Sequence, residues 1–153
     1  MAIYRRAIQQ DLPALLALSK EMHAETSFQT LSFSDSKTAA EIMSSILNPK
    51  MLFAVAEEKG KIVGMICAYL SAPYFSDDLV VYDHVWYVGK EARGSMVGPR
   101  LLKHVTEWAR LCGAKAVFVT LGSNVSQDRV GKLVERLGYG RLGGYYRKDI
   151  ESV

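Results

Sequence analysis

Cysteine is scarce in this chain: its 153 residues hold two, Cys67 and Cys112. Both lie in apolar surroundings, which excludes a disulfide framework and fits buried thiols. Histidine is nearly as rare, and His23, His84 and His104 never pair with each other or with a cysteine at zinc-ligand spacing, so no metal site is expected. Long apolar runs are also missing. The longest, Ile62 to Leu70, spans nine residues, about half of the ~18 or more that a membrane span needs. The N-terminal MAIYRRAIQQD has no apolar signal core, so a cytoplasmic, unprocessed chain away from the membrane is expected. Nor does one sign of charge dominate: 19 Lys and Arg against 16 Asp and Glu leave +3, with no stretch that gathers five or more basic residues. That excludes nucleic acid as an expected partner. No G-x-S-x-G elbow or Walker-type phosphate loop is present.

What is present suits one globular domain over residues 1–153, since 49% of residues are apolar and 23% charged. A chain of this length buries roughly 68–70% of its unfolded surface, enough for an unassisted core. Ile3 to Ile8 alternates like a strand, and Asp11 with Pro13 can open a helix whose apolar face carries Leu12, Leu15, Leu16, Ser19 and Met22. After a polar stretch from Thr26 to Ser36, Thr38-x-x-Glu41 reads as a capping box for a second helix that Asn48-Pro49 stops near Leu47. Met51 to Glu57 and Lys61 to Ala72 predict an antiparallel hairpin, and Leu79 to Val88 a further strand. A glycine-containing turn then leads into a helix with Val97, Leu101, Leu102, Val105, Trp108, Ala109 and Cys112 at helical spacing, ended by Gly113. Lys115 to Leu121 is expected as a strand and 123–128 as a loop. Val130, Leu133, Val134 and Leu137 mark a last helix, and Tyr139 to Ile150 a closing hairpin. The sum, βααβββαβαββ, is an α/β (α+β) fold with a mixed sheet and helices on both faces.

The chemistry concentrates where the strand ending at Val88 runs through Arg93, Gly94 and Gly98 into a helix. Unpaired N–H groups at a helix N-terminus favour an anion such as a phosphate, and Arg93 can add a charge-assisted bond. Val88-x-x-x-x-Arg93-x-x-Met96-x-Gly98-x-x-Leu101-Leu102, followed by Val134-Glu135-Arg136-Leu137-Gly138-Tyr139, resembles the paired motifs of the GNAT superfamily of acyl-CoA N-acyltransferases. The resemblance extends over nearly the whole chain.

That resemblance implies acetyl-CoA as acyl donor and an amine as acceptor, joined by direct transfer in a ternary complex. Arg93, Gly94, Ser95, Met96, Val97, Gly98 and Arg100 would hold the pyrophosphate. A bulge in the Leu79–Val88 strand would splay it from the Lys115–Leu121 strand, and backbone N–H groups near Tyr87 and Val88 would meet the thioester carbonyl. Two positions depart from the family pattern. Met96 replaces a glycine, and Val134 stands where many relatives carry the tyrosine that protonates the leaving thiolate, so water, Tyr139, Tyr145 or Tyr146 would have to serve. Many relatives pair, which allows a homodimer.

An amine acceptor calls for a base. His84 ranks first because imidazole ordinarily titrates near neutrality, and strict alternation would put it on one face with Tyr82, Trp86 and Val88. Asp83 ranks second, pointing the other way unless the bulge shifts the phase. His23 and His104 read as solvent-exposed. Phe28, Phe33, Tyr74 and Phe75 border the acceptor site by resemblance, with Asp77 and Asp78 able to attract a cation. The rival reading is a coenzyme A-binding or protein-interaction module on the same fold. A dinucleotide-binding domain is disfavoured, because Gly113 to Ala116 occupies the place of the acidic ribose-binding residue.

Overall fold

The computed structural model describes residues 1–123 and 125–150. Asn124, inside the expected 123–128 loop, and residues 151–153 lie outside the described residues. The elements are β1 (Ile3–Arg6), α1 (Leu12–Glu25), α2 (Asp35–Leu47), β2 (Met51–Glu58), β3 (Lys61–Ser71), β4 (Val80–Val88), α3 (Val97–Leu111), β5 (Val117–Phe118) and α4 (Gln127–Arg136). They form one sheet in the order β1-β2-β3-β4-β5. The first four strands are antiparallel in sequence, and β5 runs parallel to β4.

Helices cover both faces, which explains why β2 and β3 read as continuous apolar runs. On one face Leu101, Leu102 and Val105 of α3 pack on Ala54, Ile66 and Val81, with Val134 of α4 beside them. On the other, Leu15 and Leu18 of α1 and Ile42 of α2 pack on Phe53, Val55 and Met65. Gly64 lets α3 lie close to β3: a β-carbon there would come within 2.8 Å of Val97 Cγ1. The β2–β3 turn is Lys59-Gly60, both left-handed (φ 50° and 77°), the twist that a two-residue hairpin favours.

Four expectations need correction. The second helix starts earlier, at Asp35, because Ser34 caps it by accepting from the Lys37 N–H; Thr38 lies inside the helix and donates to the Ser34 carbonyl. The strand after α3 shrinks to Val117–Phe118, since the Thr120 N–H goes to the Asp83 carboxylate at 3.0 Å instead of to a β4 carbonyl. The closing hairpin is absent among the described residues. Its Gly140, Gly143 and Gly144 offer no side chains to pack, Tyr145 and Tyr146 are exposed, and Arg147 ties the segment to the Ser27 carbonyl and Thr30 hydroxyl. His23 is half-buried, with Nε2 2.7 Å from the Leu31 carbonyl and its ring against Phe33. His104 is exposed and stacks on Tyr4.

Asp11 precedes α1, but its carboxylate serves the sheet edge. Arg5 reaches it with two nitrogens at 2.7 and 2.9 Å and reaches Glu57 as well, while the Ile8 N–H donates to Asp11 Oδ2. The Arg5 bonds and the Ile8 N–H outweigh burial and hold the Asp11 carboxyl below its usual range. The lowered value means the contribution is present above the unfolded-state pKa and is lost as pH falls through the folded one. Asp11→Asn should therefore cost about 1.5–3 kcal/mol at neutral pH. The difference from the parent should vanish at strongly acid pH in urea titrations run across the pH range.

Candidate functional site

β4 pairs with β5 at Val81–Val117 and Tyr82–Phe118 only. Beyond that point the two parallel strands part. The register of β4 against β3 jumps at the same place, Cys67 opposite Val85 but Ala68 opposite Asp83, so His84 is the extra residue of a bulge. The Gly89 N–H donates to the Val63 carbonyl. Alternation along the antiparallel ladder therefore turns the Val85 and Tyr87 backbone toward β3 and that of Trp86 and Val88 toward the gap.

The bulge also overturns the expected facing. Trp86 and Val88 pack toward α3, whereas Val85 packs toward α1 and α2. His84 lies on this second face, its ring 6.4 Å from that of Tyr69 and its Nε2 3.5 Å from Glu41 Oε1 on α2. It shares the face with Tyr82 but not with Trp86 and Val88, because the inserted residue reverses the alternation. Asp83 points toward the opposite layer. Burial pushes its carboxyl above the usual range, against the opposing effect of its bonds to Thr120.

At the far end of the gap the chain turns through residues 89–96 into α3. Gly94 is left-handed (φ 78°), a conformation that β-carbons disfavour. The Ser95 hydroxyl donates to the Ala92 carbonyl and accepts from the Val97 N–H, so that amide is occupied. The Gly98 N–H sits in the first turn, where an intrahelical acceptor does not exist, and Pro99 has no N–H. A β-carbon on Gly98 would meet Trp86 and Val88 at 3.6 Å, an ordinary van der Waals contact. Met96 turns to solvent at 60% exposure. Trp86 Nε1 is buried with no acceptor among the described residues.

The loop's arginine is engaged elsewhere. Arg93 pairs with Glu25 of α1, donates from Nε to the Val88 carbonyl at 3.2 Å and from Nη2 to the Tyr87 hydroxyl at 3.1 Å. That hydroxyl shares its proton between Glu25 (2.6 Å) and Glu21 (3.0 Å). Burial and the two glutamates push Tyr87 upward. Burial pushes Glu25 upward too, but the bonds from Arg93 and Tyr87 and the nearby Arg93 and Lys90 charges leave it below its usual range. Arg100 lies over the Tyr4 ring at 5.8 Å, on the β1 side. A cation that sequence reasoning missed stands beside the loop: Arg129 Nη2 comes within 3.4 Å of where a Gly94 β-carbon would be. Arg129 is exposed on α4 and has no ion-pair partner among the described residues. Only the fold reveals this, since 35 residues separate it from Gly94.

Val134 is buried in the α3-side core. Of the three tyrosines expected as substitutes, Tyr139 is half-buried with its hydroxyl 3.0 Å from Thr106 Oγ1, while Tyr145 and Tyr146 point outward. Among the aromatic loop residues, Phe28, Tyr74 and Phe75 are exposed, as are Asp77 and Asp78. Among the described residues no helix is long and apolar enough to cross a membrane, and no group of three or more His, Cys, Asp or Glu could hold a metal ion.

The sequence model of the acetyltransferase (GNAT) family matches residues 15–139. No curated protein matches the chain. Among solved structures, an acetyltransferase of Trypanosoma brucei is similar at 20% identity and TM-score 0.75, over 98% of this chain and 100% of that one. An aminoglycoside acetyltransferase from an uncultured soil metagenomic sample, in complex with sisomicin, is similar at 18% identity and TM-score 0.72, over 98% and 97%. A transcriptional regulator from Bacillus halodurans C-125 reaches TM-score 0.80 at 15% identity, over 98% and 100%. At these identities the likeness is one of fold.

Proposed function

The chain belongs to the acetyltransferase (GNAT) family, and from that premise we propose that it transfers an acetyl group from acetyl-CoA to a primary amine by direct attack in a ternary complex. The observation that carries this reading is the parting of β4 and β5 beyond Tyr82–Phe118, with His84 at its near end and the 93–98 turn at its far end.

The residues around the gap suit a long donor with an anionic segment and amide groups. The Gly98 N–H and Arg129 offer an anion site at the mouth of α3. Trp86 Nε1 is a buried donor lacking an acceptor, and the Val88 N–H faces the open side. Acetyl-CoA supplies the activated thioester when bound. His84 takes a proton from the bound ammonium and frees the lone pair of the neutral amine, which attacks the thioester carbonyl; as the C–N bond forms and the C–S bond breaks, the second nitrogen proton passes through water to the departing thiolate. The Val88 N–H would stabilise charge developing on the carbonyl oxygen.

A covalent acyl-cysteine route has no support here. Cys67 is fully buried, and burial pushes its thiol up to about 12, so it carries little thiolate at neutral pH. Arg129→Ala should weaken acetyl-CoA binding about tenfold by calorimetry, the order of one charge-assisted contact. Unchanged affinity would remove Arg129 from the anion site.

Val134, buried where relatives carry a proton-donating tyrosine, favours a second reading, a coenzyme A-binding module without turnover. Thiol release measured over a panel of primary amines separates the two. The transfer reading predicts release that depends on the amine. Tight acetyl-CoA binding with no release for any amine would leave the module.

A further inference from the structure

On the α1/α2 face, three rings from three adjacent strands form a shelf that no family motif includes. Tyr69 of β3 stacks on Tyr82 of β4 at 5.6 Å and 29°, and Tyr82 stacks on Phe118 of β5 at 5.1 Å and 19°. The shelf follows from the ladder register, in which Tyr69 faces Tyr82 and Tyr82 faces Phe118. Cross-strand partners on one face approach closely enough to stack. Tyr69 keeps 36% of its surface exposed, and Tyr82 and Phe118 are only half-buried, whereas the apolar residues of β2 and β3 under α1 and α2 are sealed.

An imidazole and a carboxylate stand at one end. His84 meets the edge of Tyr69, and Glu41 approaches His84 from α2. The result is a strip of three stacked rings, two of them bearing hydroxyls, with one carboxylate and one imidazole at its end. Ring faces attract planar rings and cations, and a carboxylate beside them attracts an ammonium.

We propose that this shelf is the acceptor site and that it selects primary amines carried on an aromatic ring: the ring lies on Tyr69, Tyr82 and Phe118 while the ammonium is held by Glu41 beside His84. The assignment rests on the acyl-transfer reading above for its reaction, but not for its binding. Glu41 acts as an anchor for the charged acceptor, and the bulge that carries His84 also brings the amine to the end of the β4–β5 gap.

The test compares 2-phenylethylamine with n-butylamine, in binding by ligand-observed NMR on the full chain and in kcat/KM by thiol release. Phenylethylamine should bind more tightly, and its kcat/KM should exceed that of butylamine. Tyr69→Leu should reduce that preference about five- to tenfold. Tyr82→Leu should act in the same direction, and the two variants guard against a local folding defect in either. Glu41→Gln should raise KM for both amines together. Equal binding of the two amines, or a preference that survives both tyrosine substitutions, would overturn the shelf. Ring-dependent binding with no thiol release for any amine would uphold the shelf and remove the transfer reading instead.

Discussion

His84→Gln should lower kcat by about a hundredfold or more, within the range of about 10²–10⁴ that a positioned general base contributes. The affinity for acetyl-CoA should stay near that of the parent, because His84 lies mid-strand on the α1/α2 face and the 93–98 turn follows the end of β4. The bulge and two side chains place the residue for this role. The bulge presents it, the Tyr69 ring lies 6.4 Å away at 79°, and Glu41 lies 3.5 Å from its Nε2. Asp83, the other titratable group of the strand, faces the opposite layer and spends an oxygen on the Thr120 N–H. Asp83→Asn keeps an oxygen for that bond and should cost little turnover. A parent-like rate in His84→Gln together with a collapse in Asp83→Asn would reverse the assignment.

Leu101→Ala should produce the largest loss of stability, about 2–5 kcal/mol, because the side chain is fully buried between α3 and the sheet. For a domain of this size that is roughly 5–15 °C in Tm. The site has little room to collapse. Leu101 Cδ1 already lies 3.1 Å from where a Gly64 β-carbon would be, and Val97 closes the same space at 2.8 Å. The helix that Leu101 anchors begins at the 93–98 turn, so the variant should also weaken acetyl-CoA binding at temperatures where it remains folded. A thermal shift under 2 °C in scanning calorimetry would contradict this account of the core.

Much of the fold was readable from periodicity and punctuation. Gly113 and Gly138 adopt left-handed backbone just past α3 and α4, Asn48-Pro49 follows the last residue of α2, and the Lys59-Gly60 turn joins β2 to β3. Two of the failures share a cause: a side chain replaces a backbone partner that local pattern assumes. Ser34 competes with Thr38 for the cap, and Asp83 intercepts the Thr120 amide and cuts β5 short. The facing of His84 failed because alternation assumes an unbroken strand, and a single inserted residue reverses it. Arg129 beside Gly94, Glu41 beside His84 and the Tyr69–Tyr82–Phe118 shelf depend on contacts between distant segments. The two tyrosines were within reach, since a hairpin-like β3–β4 register would have paired them across the strands. Arg93 shows the converse. Its place in the motif suggested a phosphate contact, but Glu25 and Tyr87 from outside the motif hold its guanidinium.

A crystal structure of the full chain with coenzyme A bound tests the central claim most directly. The account predicts the pyrophosphate against the Gly94–Gly98 backbone with Arg129 beside it, the pantetheine arm in the gap between β4 and β5, and the thiol end directed toward His84. Coenzyme A bound elsewhere on the surface, or with its thiol end away from His84, would contradict it.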